Sequence, residues 1–208
     1  MDTGRTGRGH RPAPRPSRRE QDVPNRDGKT RELILDAAEE LIGGDGYDAT
    51  STARIAKLAG VPKGLVFYYF PTKPEILQAL LSERLPTKPM TDVSPIVTPG
   101  DPAKSLVALD TALNMLDRHT SLLRLILWRE AQTQPAVRAQ LRQFRAYVRD
   151  ATVRILQASV PYPVRPETLR ACANAWVAAT FSVTRGDSRD EELGSVARVV
   201  AAGMLQLG

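Results

Sequence analysis

Residues 50–73, TSTARIAKLAGVPKGLVFYYFPTK, constrain the fold of this chain more than any other stretch. They read as two short helices joined by a tight turn. Ser51 suits the N-cap of the first, its hydroxyl accepting a free backbone N–H. Ile55, Leu58 and Ala59 recur at i, i+3 and i+4 and predict one apolar face. Ala56 and Ala59 are small enough to let another helix approach. Gly60 ends the helix, because glycine enters the left-handed cap conformation without steric cost. Val61 fills the angle between the helices. Pro62 fits the first turn of the second, where a missing N–H costs nothing. Val66 and Phe70, four apart, predict the buried side of that helix. Lys63, Gly64, Leu65, Phe67, Tyr68 and Tyr69 are left facing outward. Aromatic stripes usually pack beneath a neighbouring helix. The helix–glycine–helix spacing favours exposure here, because a recognition helix must present its N-terminal half to base edges and its flanks to phosphates.

The run Gly46-Tyr47-Asp48-Ala49-Thr50-Ser51, then Ile55-Ala56, Ala59-Gly60-Val61, Lys63-Gly64, Tyr68, Phe70 and Lys73, resembles the DNA-binding domain of the TetR family of bacterial transcriptional regulators. The resemblance spans residues 30–80, about a quarter of the chain, in order and without gaps. Three positions depart from the family pattern. Pro62 stands where a serine cap is common, Phe67 where a tyrosine touches phosphate, and Leu65 where a small polar residue is common. A thymine methyl is an apolar partner that Leu65 could meet. The resemblance implies DNA-binding roles for Ser51, Thr52, Lys63, Gly64, Leu65, Phe67, Tyr68, Tyr69 and Lys73, with Lys73 gripping a phosphate.

Composition points the same way on fold. The chain has 208 residues, only 5% aromatic, with frequent alanine and leucine, so an all-α protein is expected. The single cysteine, Cys172, rules out an internal disulfide framework and fits a reducing cytosol. No apolar run reaches membrane-spanning length, and the arginine-rich N-terminus has no apolar core of a secretory signal. A cytoplasmic protein is therefore expected. The net charge of +6 is not concentrated in the helix-turn-helix domain, because residues 29–85 carry seven basic and eight acidic side chains. Within 50–73, however, the charges are Arg54, Lys57, Lys63 and Lys73, with no acid among them.

The order of segments suggests four parts. Residues 1–28 are rich in Gly, Pro and Arg and are expected to be a disordered basic arm. Its Arg5, Arg8, Arg11, Arg15, Arg18 and Arg19 either reach phosphates or the minor groove or form a solvated tail. Residues 29–85 hold the DNA-binding domain and a linking helix. The first helix, 29–44, turns Ile34, Ala37, Ala38 and Leu41 inward and Glu32, Asp36, Glu39 and Glu40 outward. The glycines 43, 44 and 46 stop it. Tyr47 is expected to pack back on the core. Thr72-Lys73-Pro74-Glu75 is a capping-box pattern that opens the linking helix. Residues 86–102, with five prolines, form the connection, and 103–208 form a second helical domain. There Leu106, Leu109, Leu113 and Leu116 make a stripe, and 121–132 reads as an enclosed helix. Val137, Leu141, Phe144, Val148, Ala151 and Ile155 line a long helix flanked by Arg138, Arg142, Arg145 and Arg149. That arginine row reads as a solvated face, the alternative being recognition of an acidic ligand.

No set of polar residues converges into a catalytic constellation, and HExxH, Walker, GxSxG and CxxC motifs are absent from the sequence. An enzyme is not expected, and no cofactor or metal site is identified. The chain is read as a homodimeric regulator, most simply a repressor, on a palindromic operator of double-stranded DNA. A helical scaffold without specific DNA binding, or a TetR-like activator, is the alternative. The resemblance implies a four-helix dimer interface from the last two helices, 168–183 and 193–207, with Leu169, Ala173, Trp176, Val196, Val200 and Met204 as candidates. A small hydrophobic or aromatic effector is expected between helices of the second domain. Met115, His119, Trp128, Tyr147, Cys172 and Trp176, which mix apolar bulk with polar tips, are its candidate lining.

Overall fold

The computed structural model describes residues 23–86, 89–115, 120–182 and 189–207. Among these residues every regular element is an α-helix. In order they are α1 (Val23–Asp45), α2 (Thr52–Ala59), α3 (Lys63–Tyr69), α4 (Lys73–Arg84), α5 (Pro102–Met115), α6 (Thr120–Glu130), α7 (Pro135–Ala158), α8 (Pro166–Ser182) and α9 (Arg189–Leu207).

α1 starts earlier than the sequence suggests, at Val23 rather than after Gly28, so the last residues of the expected arm are helical. Arg5 to Arg19 and His10 lie outside the described residues. Ile34, Ala37 and Ala38 face inward as expected, but so does Glu39, expected outside and only 1% exposed. Glu39 is among the carboxylates acting on the Arg84 guanidinium of α4. Arg84 also binds Glu32 and Asp36 at 2.6 Å each, and Arg31 pairs with Glu83. α1 and α4 are thus laced by ion pairs along one side. α1 runs on to Asp45, and Gly46 ends it at φ +92°, a left-handed conformation that disfavours any side chain.

α2 and α3 follow their local signals closely. Ser51 Oγ accepts from Arg54 N at 3.2 Å, and Gly60 caps α2 at φ +67°. Pro62 takes the N-cap position of α3 at φ −59° rather than its first turn. Val66 and Phe70 are buried, as are Ile55 and Ala56, whereas Leu58 is 45% exposed. The inward face of α2 therefore runs through Ile55, Ala56 and Ala59, the side that meets α1. Thr72 caps α4 by accepting from Glu75 N at 3.4 Å while donating to the Glu75 carboxylate at 2.8 Å.

The connection after α4 is not a free tether. Met90, Val93, Ile96 and Val97 pack on the core, Arg154 Nη1 donates to Met90 O at 2.7 Å, and Gly100 N donates to Ser159 O at 2.8 Å. One hydrophobic cluster runs from Ile34 and Leu35 through α4 into α5, α6 and α7, so the two expected domains share a core. A second cluster holds Leu106, Leu156, Leu169, Cys172, Trp176, Leu193, Ala197, Val200 and Met204, where α5, α8 and α9 meet the end of α7. The expected enclosure of 121–132 does not hold. Leu123, Ile126 and Leu127 are buried, but Leu125 is exposed and Trp128 is 55% exposed, because α1, α4, α5 and α7 leave one face of α6 uncovered. None of the described helices is long and apolar enough to cross a membrane.

Candidate DNA-binding face

α3 is anchored by Val66 and Phe70, and its other sides are open. Lys63, Gly64, Leu65, Phe67 and Tyr68 are all exposed on it, Tyr68 to 72%. Lys63 Nζ lies 5.6 Å from the Phe67 ring centre, one turn on. Such a contact keeps the ammonium on the helix surface without withdrawing it from solvent. Ser51 and Thr52 stand at the start of α2, Ser51 exposed and Thr52 half-buried. Ser51 Oγ already accepts one backbone N–H, so its hydroxyl proton is what it has left to donate.

Tyr69 does not share the outward direction of Tyr68. The two rings meet edge to face at 5.0 Å, and Tyr69 OH donates to Asp27 Oδ1 of α1 at 2.9 Å. Desolvation and this carboxylate raise the Tyr69 pKa. Tyr69 therefore ties α3 to the start of α1. Arg54 is also used internally: Asp45 Oδ2 lies 2.6 Å from Nη2, and Ala49 O accepts from Nη1 at 3.2 Å. The tertiary structure thus brings Asp27 and Asp45 beside a segment that contains no acid of its own.

Lys73 opens α4 and is held by a residue from the loop after α1. Its Nζ sits 4.1 Å from the Tyr47 ring centre. Tyr47 packs on the core as expected, and its backbone N–H donates to Glu130 Oε1 at 3.2 Å. Glu130, at the end of α6 and buried, also accepts from Gln134 Nε2 at 3.2 Å. Beside it Arg129 Nη2 donates to Gly43 O at 3.4 Å. α6 and α1 come so close that a Cβ added at Gly43 would sit 2.8 Å from Leu122 Cδ2. Sequence reasoning did not find this brace. Its one local signal was Glu130, a lone acid ending an apolar helix.

Among the described residues assigned to an effector pocket, Trp128, Tyr147 and the pair Cys172 and Trp176 lie in different places. Trp128 is exposed on α6. Tyr147 stacks on Phe144 at 6.3 Å against the first cluster, whereas Cys172 and Trp176 belong to the second. Met115 is the last residue of α5, and His119 lies outside the described residues. The candidate interface residues are also displaced. Leu169, Ala173, Trp176, Val200 and Met204 are buried within this one subunit, Trp176 completely, and Val196 packs on the same cluster. The most apolar stripe of each helix is taken by its own core. Among the residues that α8 and α9 leave outside are the small or apolar Ala171, Ala175, Ala178, Ser195, Ala202 and Val199, the last 73% exposed, beside the polar Arg170, Asn174 and Arg198.

The arginine row of α7 separates into individual roles. Arg138 donates to Ala131 O at 3.1 Å and to Gln132 O at 3.2 Å. Arg145 lies 5.1 Å over the Phe181 ring, with Arg124 at 5.3 Å. Arg142 is exposed. Arg149 lies 3.5 Å from Asp150.

Residues 34–80 match the family model of bacterial regulatory proteins, tetR family. The fatty acid metabolism regulator protein of Bacillus subtilis (strain 168) is 42% identical over 52 residues, which are 25% of this chain and 27% of that protein. The transcriptional regulator SrpR of Pseudomonas putida is 41% identical over 56 residues, 27% of this chain and 26% of that protein. The likeness thus spans about a quarter of each relative. A TetR-like transcriptional regulator from Rhodococcus sp. RHA1 superposes with a TM-score of 0.59 at 24% identity, over 84% of this chain and 96% of that one. At this identity the likeness shows a shared fold, extending through the second domain.

Proposed function

We propose that the protein is a dimeric one-component repressor of the TetR family of bacterial transcriptional regulators, a reading supported by the match of residues 34–80 to that family's model and by the likeness of the same stretch to its regulators. α3 lies in the major groove of a half-site, with Lys63, Gly64 and Leu65 toward base edges. Ser51, Thr52, Phe67, Tyr68 and Lys73 border the two phosphate strands, and Tyr69 positions α3 through Asp27. The observation that carries this reading is the α3 surface itself, where a lysine, a leucine and two aromatics stand exposed on a helix held from behind by Val66 and Phe70.

The exposed small-residue faces of α8 and α9 form the dimer contact, which gives a palindromic operator its two-fold axis. Release from DNA follows when a small effector in the second domain shifts α6. The contacts from Arg129 and Glu130 then move the loop that carries Tyr47, and with it Lys73. Effector and operator oppose each other by one coupling free energy, whichever binds first. Selection from a pool of random duplexes with the purified protein tests the core of the proposal. An enriched inverted repeat is expected. Enrichment of no sequence, or of a single half-site bound by a monomer, refutes it.

A further inference from the structure

α7 and α8 leave an open groove of about 540 Å³ between them. That volume lies within the range of about 300–1,000 Å³ found for small-molecule sites. The apolar part of its mixed lining comes from Val153 of α7 and from Pro166 and Leu169 of α8. Around it stand three guanidinium groups, Arg149, Arg154 and Arg170, against one carboxylate, Asp150. Each cation is engaged differently. Arg149 faces Asp150 at 3.5 Å, a loose pair between exposed groups. Arg154 is half committed, with Nη1 on the Met90 carbonyl at 2.7 Å. Arg170 has no hydrogen-bond or ion-pair partner among the described residues. A surface arginine alone means nothing. Three of them lining one groove that also holds Val153, Pro166 and Leu169, with charge unbalanced by two, describe a site of definite chemistry.

We propose that this groove binds a small amphiphile with an acidic head, carboxylate or phosphate, and a short apolar body. The head is held by Arg170 and Arg149 in the paired N–H···O geometry that guanidinium offers an oxyanion. The body lies along Val153 and Leu169. Arg154 can turn one nitrogen to the head while keeping its bond to Met90, which couples the site to the packed segment after α4. The site is separate from the DNA-binding reading, and its test needs no DNA.

The test is calorimetric titration of the full chain with octanoate, octyl phosphate, octanol and inorganic phosphate, repeated on Arg170→Gln and Arg149→Gln. Both side chains are on the surface, so the folded state is retained, as a thermal melt checks. The proposal expects octanoate or octyl phosphate to bind at least about tenfold more tightly than octanol, the effect of a charge-assisted hydrogen bond. It expects Arg170→Gln to erase that preference, and the two acidic heads rank carboxylate against phosphate. Inorganic phosphate binding as tightly as both amphiphiles denies the apolar lining a role and overturns the proposal. Equal affinity for octanol and octanoate overturns it, as does no heat from any amphiphile at millimolar concentration. An unchanged affinity in Arg170→Gln does so too. If Arg170→Gln and Arg149→Gln instead dissociate the dimer and leave ligand binding intact, the groove is a contact between copies, and the proposal fails in that way.

Discussion

Lys73→Ala separates a phosphate contact from a structural role. Among the described residues Lys73 interacts with the Tyr47 ring, at 4.1 Å. At a partly exposed site such a contact contributes about 0.5–1 kcal/mol. The α4 cap, Thr72 with Glu75, does not involve the Lys73 side chain. The variant should therefore fold with at most a small fall in stability. Its effect on DNA is larger and has a signature in salt. Each phosphate contact contributes about 0.9 to the slope of log K against log salt, so two symmetric lysines in a dimer contribute about 1.8. Over a fourfold rise in salt, from about 50 to about 200 mM, wild-type affinity should fall about twelvefold more than that of the variant. Fluorescence anisotropy on a labelled duplex across that range measures it. The slope change should appear equally on operator and on unrelated duplex, since phosphate contacts carry no sequence information. Lys73→Arg should retain the wild-type slope. An unchanged slope in Lys73→Ala would show that Lys73 only supports Tyr47, and the orientation of α3 on DNA would need redrawing.

Val199→Glu should dissociate the dimer and weaken operator binding together, read by sedimentation, whereas a dimer that persists would place the interface elsewhere. Arg124→Leu removes the guanidinium that Asp110 faces at 3.2 Å and that donates to Thr180 O at 2.9 Å; about 3–5 kcal/mol of stability should be lost in urea unfolding, and a loss under about 1 kcal/mol would contradict a buried pair. The Glu83 pKa is lowered chiefly by its hydrogen bond from Arg31, so this pair's stability is present above the ordinary glutamate pKa and is lost as pH falls through the depressed folded value. Arg31→Gln should flatten that part of the acid limb in a melting-temperature profile between about pH 5 and pH 3, and an unchanged profile would show the pair to be inert. Burial pushes the Cys172 thiol pKa up, so thiol reagents should modify it only at the rate of unfolding, and rapid modification of the native protein would show the second cluster to be open.

The features legible in the chain alone join residues only a few positions apart. Ser51 and Arg54, Gly60 with its left-handed φ, and Thr72 with Glu75 are contacts spanning three or four positions, and the backbone groups at a helix end must find partners whatever the rest of the chain does. The helix-turn-helix and its outward lysine, leucine and tyrosine were legible for that reason. So were the stripes of α5, α7, α8 and α9, because 3.6-residue periodicity records a buried face. Periodicity does not say what covers that face. The stripes of α8 and α9 through Trp176 and Met204 were read as meeting a second copy, yet they fill the subunit's own core, since folding buries the most apolar surface first. Trp128 and Leu58 looked internal and are exposed, because the helices packed against α6 and α2 leave those faces uncovered, and Glu39 looked external but is buried. The brace from Glu130 to Tyr47, 83 residues apart, is set by how α6 meets α1 at Gly43. The groove that gathers Arg149, Arg154 and Arg170 is formed where α7 and α8 pack side by side. Such contacts depend on helix packing and leave no periodic trace in the chain, so tertiary structure alone decided them.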